Sequence, residues 1–157
     1  MLYVVVLAMR IMVVFYVVVV LTNLVTPCPN NCTCVKSHKS VQCVALDLTT
    51  FPTQLSNSTA SLSMLNNQLT TLTVHSVMGL KHMEILHLSN NPLQRIDGEV
   101  LCKMPLLKWL VLDNTNISFL APHTFACLNR LEQLSLQNNH LTSLHVDTFA
   151  GLKNFNI

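Results

Sequence analysis

The side chains with the most chemistry to offer are six cysteines and seven histidines. Four of the cysteines fall in "CPNNCTCVKSHKSVQC": Cys28, Cys32, Cys34 and Cys43, spaced C-x3-C-x-C-x8-C. Thiols this close together can hold zinc, with His38 nearby as a nitrogen ligand, or they can pair as disulfides. The compartment decides between the two. Residues 2–21 are almost wholly apolar, interrupted only by Arg10. The run Ile11–Leu21 has the length of the apolar core of a secretory signal, and Arg10 supplies the positive charge before it. Export into an oxidising compartment favours disulfides over zinc. Four cysteines allow three pairings, and spacing alone does not choose among them.

Other catalytic chemistry is not legible. The sequence has no G-x-S-x-G and no H-E-x-x-H, and only three glycines, too few for a phosphate-cradling loop to be expected. The histidines share no ligand spacing on a common element. His145 with Asp147 has no partnered nucleophile, so the histidines read as surface residues. No enzyme and no cofactor is expected. Charge excludes another class. With Arg10 set aside, eight Lys/Arg face seven Asp/Glu, a formal +1, which is not a nucleic-acid footprint. Three N-x-[ST] sequons, at Asn31, Asn57 and Asn116, are candidate glycosylation sites consistent with export.

The elements that position these residues come from a repeat. "MEILHLSNNPL" begins at Met83, "LKWLVLDNTNI" at Leu107 and "LEQLSLQNNHL" at Leu131, with a fainter copy, "TASLSMLNNQL", at Thr59. The starts are 24 residues apart, and all four fit L-x-x-L-x-L-x-x-N-x-L, with Thr115 in place of asparagine in the third. Apolar residues recur later in each copy: Leu72, Ile96, Leu120 and Leu144; then Val77, Leu101, Phe125 and Phe149; then Leu80, Met104, Leu128 and Leu152. The chain thereby resembles the leucine-rich repeat family in its 24-residue extracellular form. The resemblance implies an α/β solenoid: a curved horseshoe with a parallel sheet on its concave face. The cysteine segment, with Pro29 and "LDLTTFP" at 46–52, looks like the cysteine-rich N-terminal cap of secreted members of that family. The resemblance implies the pairing Cys28–Cys34 and Cys32–Cys43.

Each copy is then one coil, with L-x-L segments such as Leu134-Ser-Leu136 as short strands whose leucines point inward. The sharp turn after each strand buries backbone groups that cannot reach water, and each one left unpaired costs roughly 1–3 kcal/mol. An asparagine carries both donor and acceptor, so Asn67, Asn91 and Asn139, with Thr115 doing part of the work, are expected to form an inner ladder. Asn66, Asn90, Asn114 and Asn138 precede them, facing outward. Cys102 and Cys127 fall on the side opposite the strands, where adjacent coils can bring their α-carbons within disulfide reach of roughly 4.4–6.8 Å. Alternatively Cys102 is a small buried residue in the column of Met78, Ala126 and Ala150.

The outward strand positions read Ser61, Ile85, Trp109, Gln133 and Ser63, His87, Val111, Ser135, flanked by Glu84, Lys108, Asp113 and Glu132. Ile85, His87, Trp109 and Val111, with Glu84 and Lys108, are the candidate ligand-binding residues. The expected function is extracellular protein binding to a ligand or co-receptor, as a receptor, adhesion protein or secreted binder. The rival is a structural matrix component similar to small leucine-rich proteoglycans.

The expected organisation is a signal peptide or signal anchor at 1–26, the cap at 27–58, four repeats at 59–154 and the start of a fifth at 155–157. Residues 2–21 nearly reach the ~20 apolar residues that span a bilayer. Arg10 inside such a span is costly, which favours cleavage, although an Ala-x-Ala pattern is absent. Lys36 is the first basic residue after the run, so either way the remainder lies outside. A fifth strand that stops at Ile157 suggests an N-terminal piece, with membrane association through an uncleaved start or a later span. One outcome is checked by intact mass with and without alkylation. Cys28, Cys32, Cys34 and Cys43 should all resist labelling in secreted, unreduced protein, and full labelling would exclude disulfides.

Overall fold

A computed structural model describes residues 28–29, 31–35 and 39–154. The expected signal segment, His38 and the three residues of the fifth repeat lie outside the described residues. The described residues form one six-stranded sheet: β1 (Thr33–Val35), β2 (Ser40–Gln42), β3 (Ser61–Ser63), β4 (Ile85–His87), β5 (Trp109–Val111) and β6 (Gln133–Ser135), in that spatial order. From β2 onward every pairing is parallel and in register at 24-residue steps, as in Leu62↔Leu86↔Leu110↔Leu134. The chain is a parallel solenoid of about four turns. The strands centre on the first leucine of each L-x-L, so the last is 133–135 rather than 134–136.

Each strand sends alternate side chains to opposite faces. Leu62, Leu86 and Leu110 are completely buried, and the second leucine position (Met64, Leu88, Leu112) is buried with them. The later columns fill the rest of the interior: Leu72, Ile96 and Leu120, then Val77, Leu101 and Phe125, then Leu80, Met104 and Leu128. Phe125 stacks on Phe149 of the next coil, with ring centroids 5.8 Å apart and planes at 4°. In the last described coil Leu144, which belongs to the same column as buried Leu120, is 52% exposed, and Leu134, Leu136 and Leu141 are only partly covered. A coil in a solenoid buries its flanks only against neighbours on both sides.

Helix is sparse on the side opposite the sheet. Among the described residues two single turns form, α1 (Val74–Val77) and α2 (Gly98–Leu101). Thr73 caps α1 by accepting from Ser76 N–H, while the Ser76 hydroxyl accepts from Thr73 N–H in return. Asp97 caps α2 by accepting from Glu99 N–H at 2.9 Å. The third and fourth repeats cross the back in turns. Pro122 opens the turns of the third, and Thr124 turns its hydroxyl onto Ala121 C=O.

The inner polar residues close the turn after each strand. Asn67 donates to Cys43, Met64 and Leu65 C=O and accepts from Leu46 and Leu48 N–H. Asn91 donates to Met64, Leu88 and Ser89 C=O and accepts from Leu69 N–H. Asn139 donates to Leu112, Leu136 and Gln137 C=O, and its oxygen accepts from Thr115 and Ile117 N–H. Each amide thus ties its own coil to the one before. Thr115 is shorter. Its hydroxyl reaches Leu112 C=O at 2.8 Å and Asn139 at 2.9 Å, and it leaves the previous coil's Leu93 N–H to bond Asn91 C=O instead.

The outer asparagines have a backbone role that their polarity conceals. Asn66, Asn90, Asn114 and Asn138 all take φ between 52° and 57°, the left-handed region. Asparagine enters that region more readily than other side-chain-bearing residues, for which it costs about 1–2 kcal/mol. Asn90 also donates to Asn66 at 2.6 Å. Asn91→Leu, which orphans one buried N–H and three carbonyl contacts, should cost about 3–5 kcal/mol in denaturant unfolding. Asn90→Ala should cost about 1 kcal/mol through its backbone, and Asn90→Gly close to nothing. Equal losses for Asn90→Gly and Asn91→Leu would overturn these roles.

Candidate functional site

The cap comes first, because it sets the start of the sheet. Cys28 is bonded to Cys34 and Cys32 to Cys43, with Cα–Cα distances of 5.8 and 4.4 Å. This is the pairing that the family resemblance implies. Cys34 lies in the middle of β1, which pairs antiparallel with β2 as Cys34↔Val41. β1 is thus a reversed edge strand clamped in place, an element that spacing alone did not indicate. Among the described residues no group of His, Cys, Asp and Glu converges as a metal site. On the opposite side of the solenoid Cys102 and Cys127 are bonded across adjacent coils, Cα–Cα 5.0 Å.

The outward face of the sheet is a two-column grid. Ile85 pairs with Trp109 and Trp109 with Gln133; His87 pairs with Val111 and Val111 with Ser135. Trp109 is 42% exposed, while Ile85, His87 and Val111 are half-buried by their neighbours. The ten paired outward positions from Ser40 and Gln42 to Gln133 and Ser135 contain no Lys, Arg, Asp or Glu. The aromatic ring therefore stands on an uncharged strip whose neighbours on the cap side, Ser61 and Ser63, are small.

Charge lies along both borders of that strip. On the side where the chain enters the strands, Lys108 Nζ meets Glu84 Oε2 at 2.7 Å. Lys108, by hydrogen bond and charge, lowers the Glu84 pKa below the usual glutamate value. On the other border Asp113 accepts from Ser135 Oγ at 2.5 Å and from Gln137 N–H at 2.8 Å, while Ser89 Oγ accepts from Asp113 N–H and touches His87 Nε2 at 3.0 Å. This border network, which sequence reading missed, holds β4, β5 and β6 in place around Trp109. Its 22- and 24-residue spacings are the only signal that could have found it.

The remaining candidates lie elsewhere. His75 sits in α1, and His145 Nδ1 lies 3.6 Å from Asp147 Oδ2, on the side away from the sheet. The sequon asparagines Asn31, Asn57 and Asn116 are all exposed, and none of them falls on a strand.

A capped parallel solenoid whose turns are closed by buried amides defines a repeat protein that presents its sheet as a surface. The chain belongs to the leucine-rich repeat family, whose sequence profile matches residues 57–117 and 105–156. It is similar to podocan of Mus musculus, 32% identical over 129 residues that make up 81% of this chain and 20% of podocan. It is also similar to reticulon-4 receptor-like 2 of Rattus norvegicus, 35% identical over 131 residues, 82% of this chain and 25% of the relative. The chain spans about a fifth to a quarter of the length of these curated relatives. Among solved structures, an internalin C2 from Listeria monocytogenes superposes with a TM-score of 0.64 at 28% identity, over 76% of this chain and 50% of that one.

The Glu84–Lys108 pair has a pH signature. Because the folded value of Glu84 is depressed, the pair stabilises the fold above the ordinary glutamate value, and that contribution is lost as pH falls through the lowered one. Both side chains are solvent-exposed, so the effect on stability is small. By NMR, Glu84 should titrate below an unpaired glutamate and return to the ordinary range in Lys108→Ala. A titration unchanged by that substitution would show that the pair does not form in solution.

Proposed function

We propose that this chain is an extracellular recognition module that binds a protein ligand or co-receptor across its concave sheet face, in secreted or cell-surface form. The observation that carries the reading is the chain's single tryptophan, Trp109, 42% exposed on an uncharged strip. A ring in that position contributes little to the solenoid core, whereas burying it against a partner is worth a few kcal/mol. The strip is also free of sequons, so glycans at Asn31, Asn57 or Asn116 would leave it open. The Asp113 network pre-organises its border, which lowers the cost of ordering on binding. Similarity to a protein named as receptor-like supports the same reading.

The test uses secreted wild-type and Trp109→Ala protein on a panel of cell-surface and matrix proteins, collagen among them. Trp109→Ala should melt within a few degrees of wild type and bind the captured protein at least tenfold more weakly, about 1.4 kcal/mol or more. Glu84→Ala should change affinity modestly, through association rate and salt dependence. Unfolding of Trp109→Ala would place the ring in the core. Undiminished binding would move the site off the sheet. Collagen as the captured protein would favour the matrix role.

A further inference from the structure

The solenoid separates its charges between two borders. Seven Lys/Arg fall within the described residues, and five of them lie at repeat positions that lead into a strand: Lys39, Lys81, Lys108, Arg130 and Lys153. Only Glu84 and Glu132 accompany them, for a formal balance of +3. The other five acids, Asp47, Asp97, Glu99, Asp113 and Asp147, lie where the chain leaves the strands or crosses the back, with two cations, Arg95 and the Lys103 that follows Cys102, a balance of −3. The net charge of the whole chain, +2, hides this division.

The basic edge is open for binding. Lys39, Lys81, Arg130 and Lys153 are all exposed, and among the described residues only Lys108 of the five is in an ion pair. Coils stack about 4.8 Å apart, so the charges form a row about 20 Å long along the solenoid axis. Near the cap the edge carries a shallow recess of about 380 Å³ lined by Lys39, Ser58, Ala60, His82, Glu84 and Leu106. His82 Nδ1 is engaged by Asn57 C=O at 3.0 Å, which leaves its other ring nitrogen free. Ala60 and Leu106 give the recess an apolar floor between hydroxyl and cationic groups.

From this we propose that the basic edge binds a sulfated polysaccharide, at a surface separate from the sheet face. A flexible linear polyanion can satisfy a row of hydrated, unpaired lysines whose spacing is irregular. The recess offers one sugar ring an apolar contact, the Ser58 hydroxyl and the Lys39 ammonium. An acidic folded protein would instead need rigid, directional partners, and the edge has few of these. Binding would release counterions and weaken steeply with salt, as polyelectrolyte contacts do.

The test uses heparin as the probe, on the intact secreted protein. Wild type should be retained on a heparin column at about physiological ionic strength, 0.15 M, and desulfated heparin should not retain it. Lys81→Gln/Arg130→Gln/Lys153→Gln should elute at lower salt. The slope of log affinity against log salt should fall by about one for each cation removed. Asp97→Asn/Glu99→Gln, away from the edge, should elute with wild type. Lys39→Gln alone should give a smaller loss and serves if the triple variant is poorly secreted. Equal retention on desulfated heparin, an unchanged slope in the basic-edge variants, or equal loss in the control would each overturn the proposal. None of these outcomes bears on Trp109, so the sheet-face reading stands or falls separately.

Discussion

A chain that turns sharply inside its own stack must find partners for backbone groups that water cannot reach. In this solenoid the need recurs after every strand, and the inner amides meet it. Asn67, Asn91 and Asn139 each reach carbonyls in two successive coils, so one side chain closes its own turn and holds the preceding coil against it. The hydrophobic columns could tolerate exchange among leucine, methionine, isoleucine and phenylalanine, as they do here. The polar column tolerates less, because only a side chain with both a donor and an acceptor meets the full demand. The third repeat shows the consequence: with Thr115 there, the preceding coil's Leu93 N–H takes a local partner, Asn91 C=O.

Once the ladder and leucine columns hold the coils together, the outward strand positions are released from structural duty. They can carry serine, isoleucine, tryptophan, glutamine or histidine with little effect on the core. That freedom makes their composition informative. A bulky ring left in water on a scaffold that does not need it points to use, and so does a row of unpaired lysines along one edge. The two surfaces meet at Glu84 and Lys108, where the charged border touches the uncharged strip.

Much of this was legible in the residues. The 24-residue spacing alone sets strand direction, the pairing partners and the buried columns, because a parallel stack repeats each position directly above itself. Other features were not legible, for distinct reasons. The outer asparagines look sufficiently explained by exposure, and their left-handed backbone appears only in the dihedral angles. β1 is three residues long, shows no useful alternation, and owes its place to the bridge at Cys34. The back of the solenoid changes from helix to turn between the second and third repeats although the apolar columns continue unbroken. Asp113 reads as one more border charge until the strands place Ser135 and the Gln137 N–H beside it.

The bridge on the far side also constrains shape. An arc of stacked coils bends only if they stand farther apart on the outside than on the inside. On the inside the strands are held about 4.8 Å apart by their hydrogen bonds. On the outside the α-carbons of Cys102 and Cys127 are 5.0 Å apart, so the coils that carry them can be no farther apart at that point. The bridge thus ties the coils of β4 and β5 together at the back, as their strand hydrogen bonds tie them in front. Ile85 and Trp109 stand on two coils that are kept from splaying apart behind them.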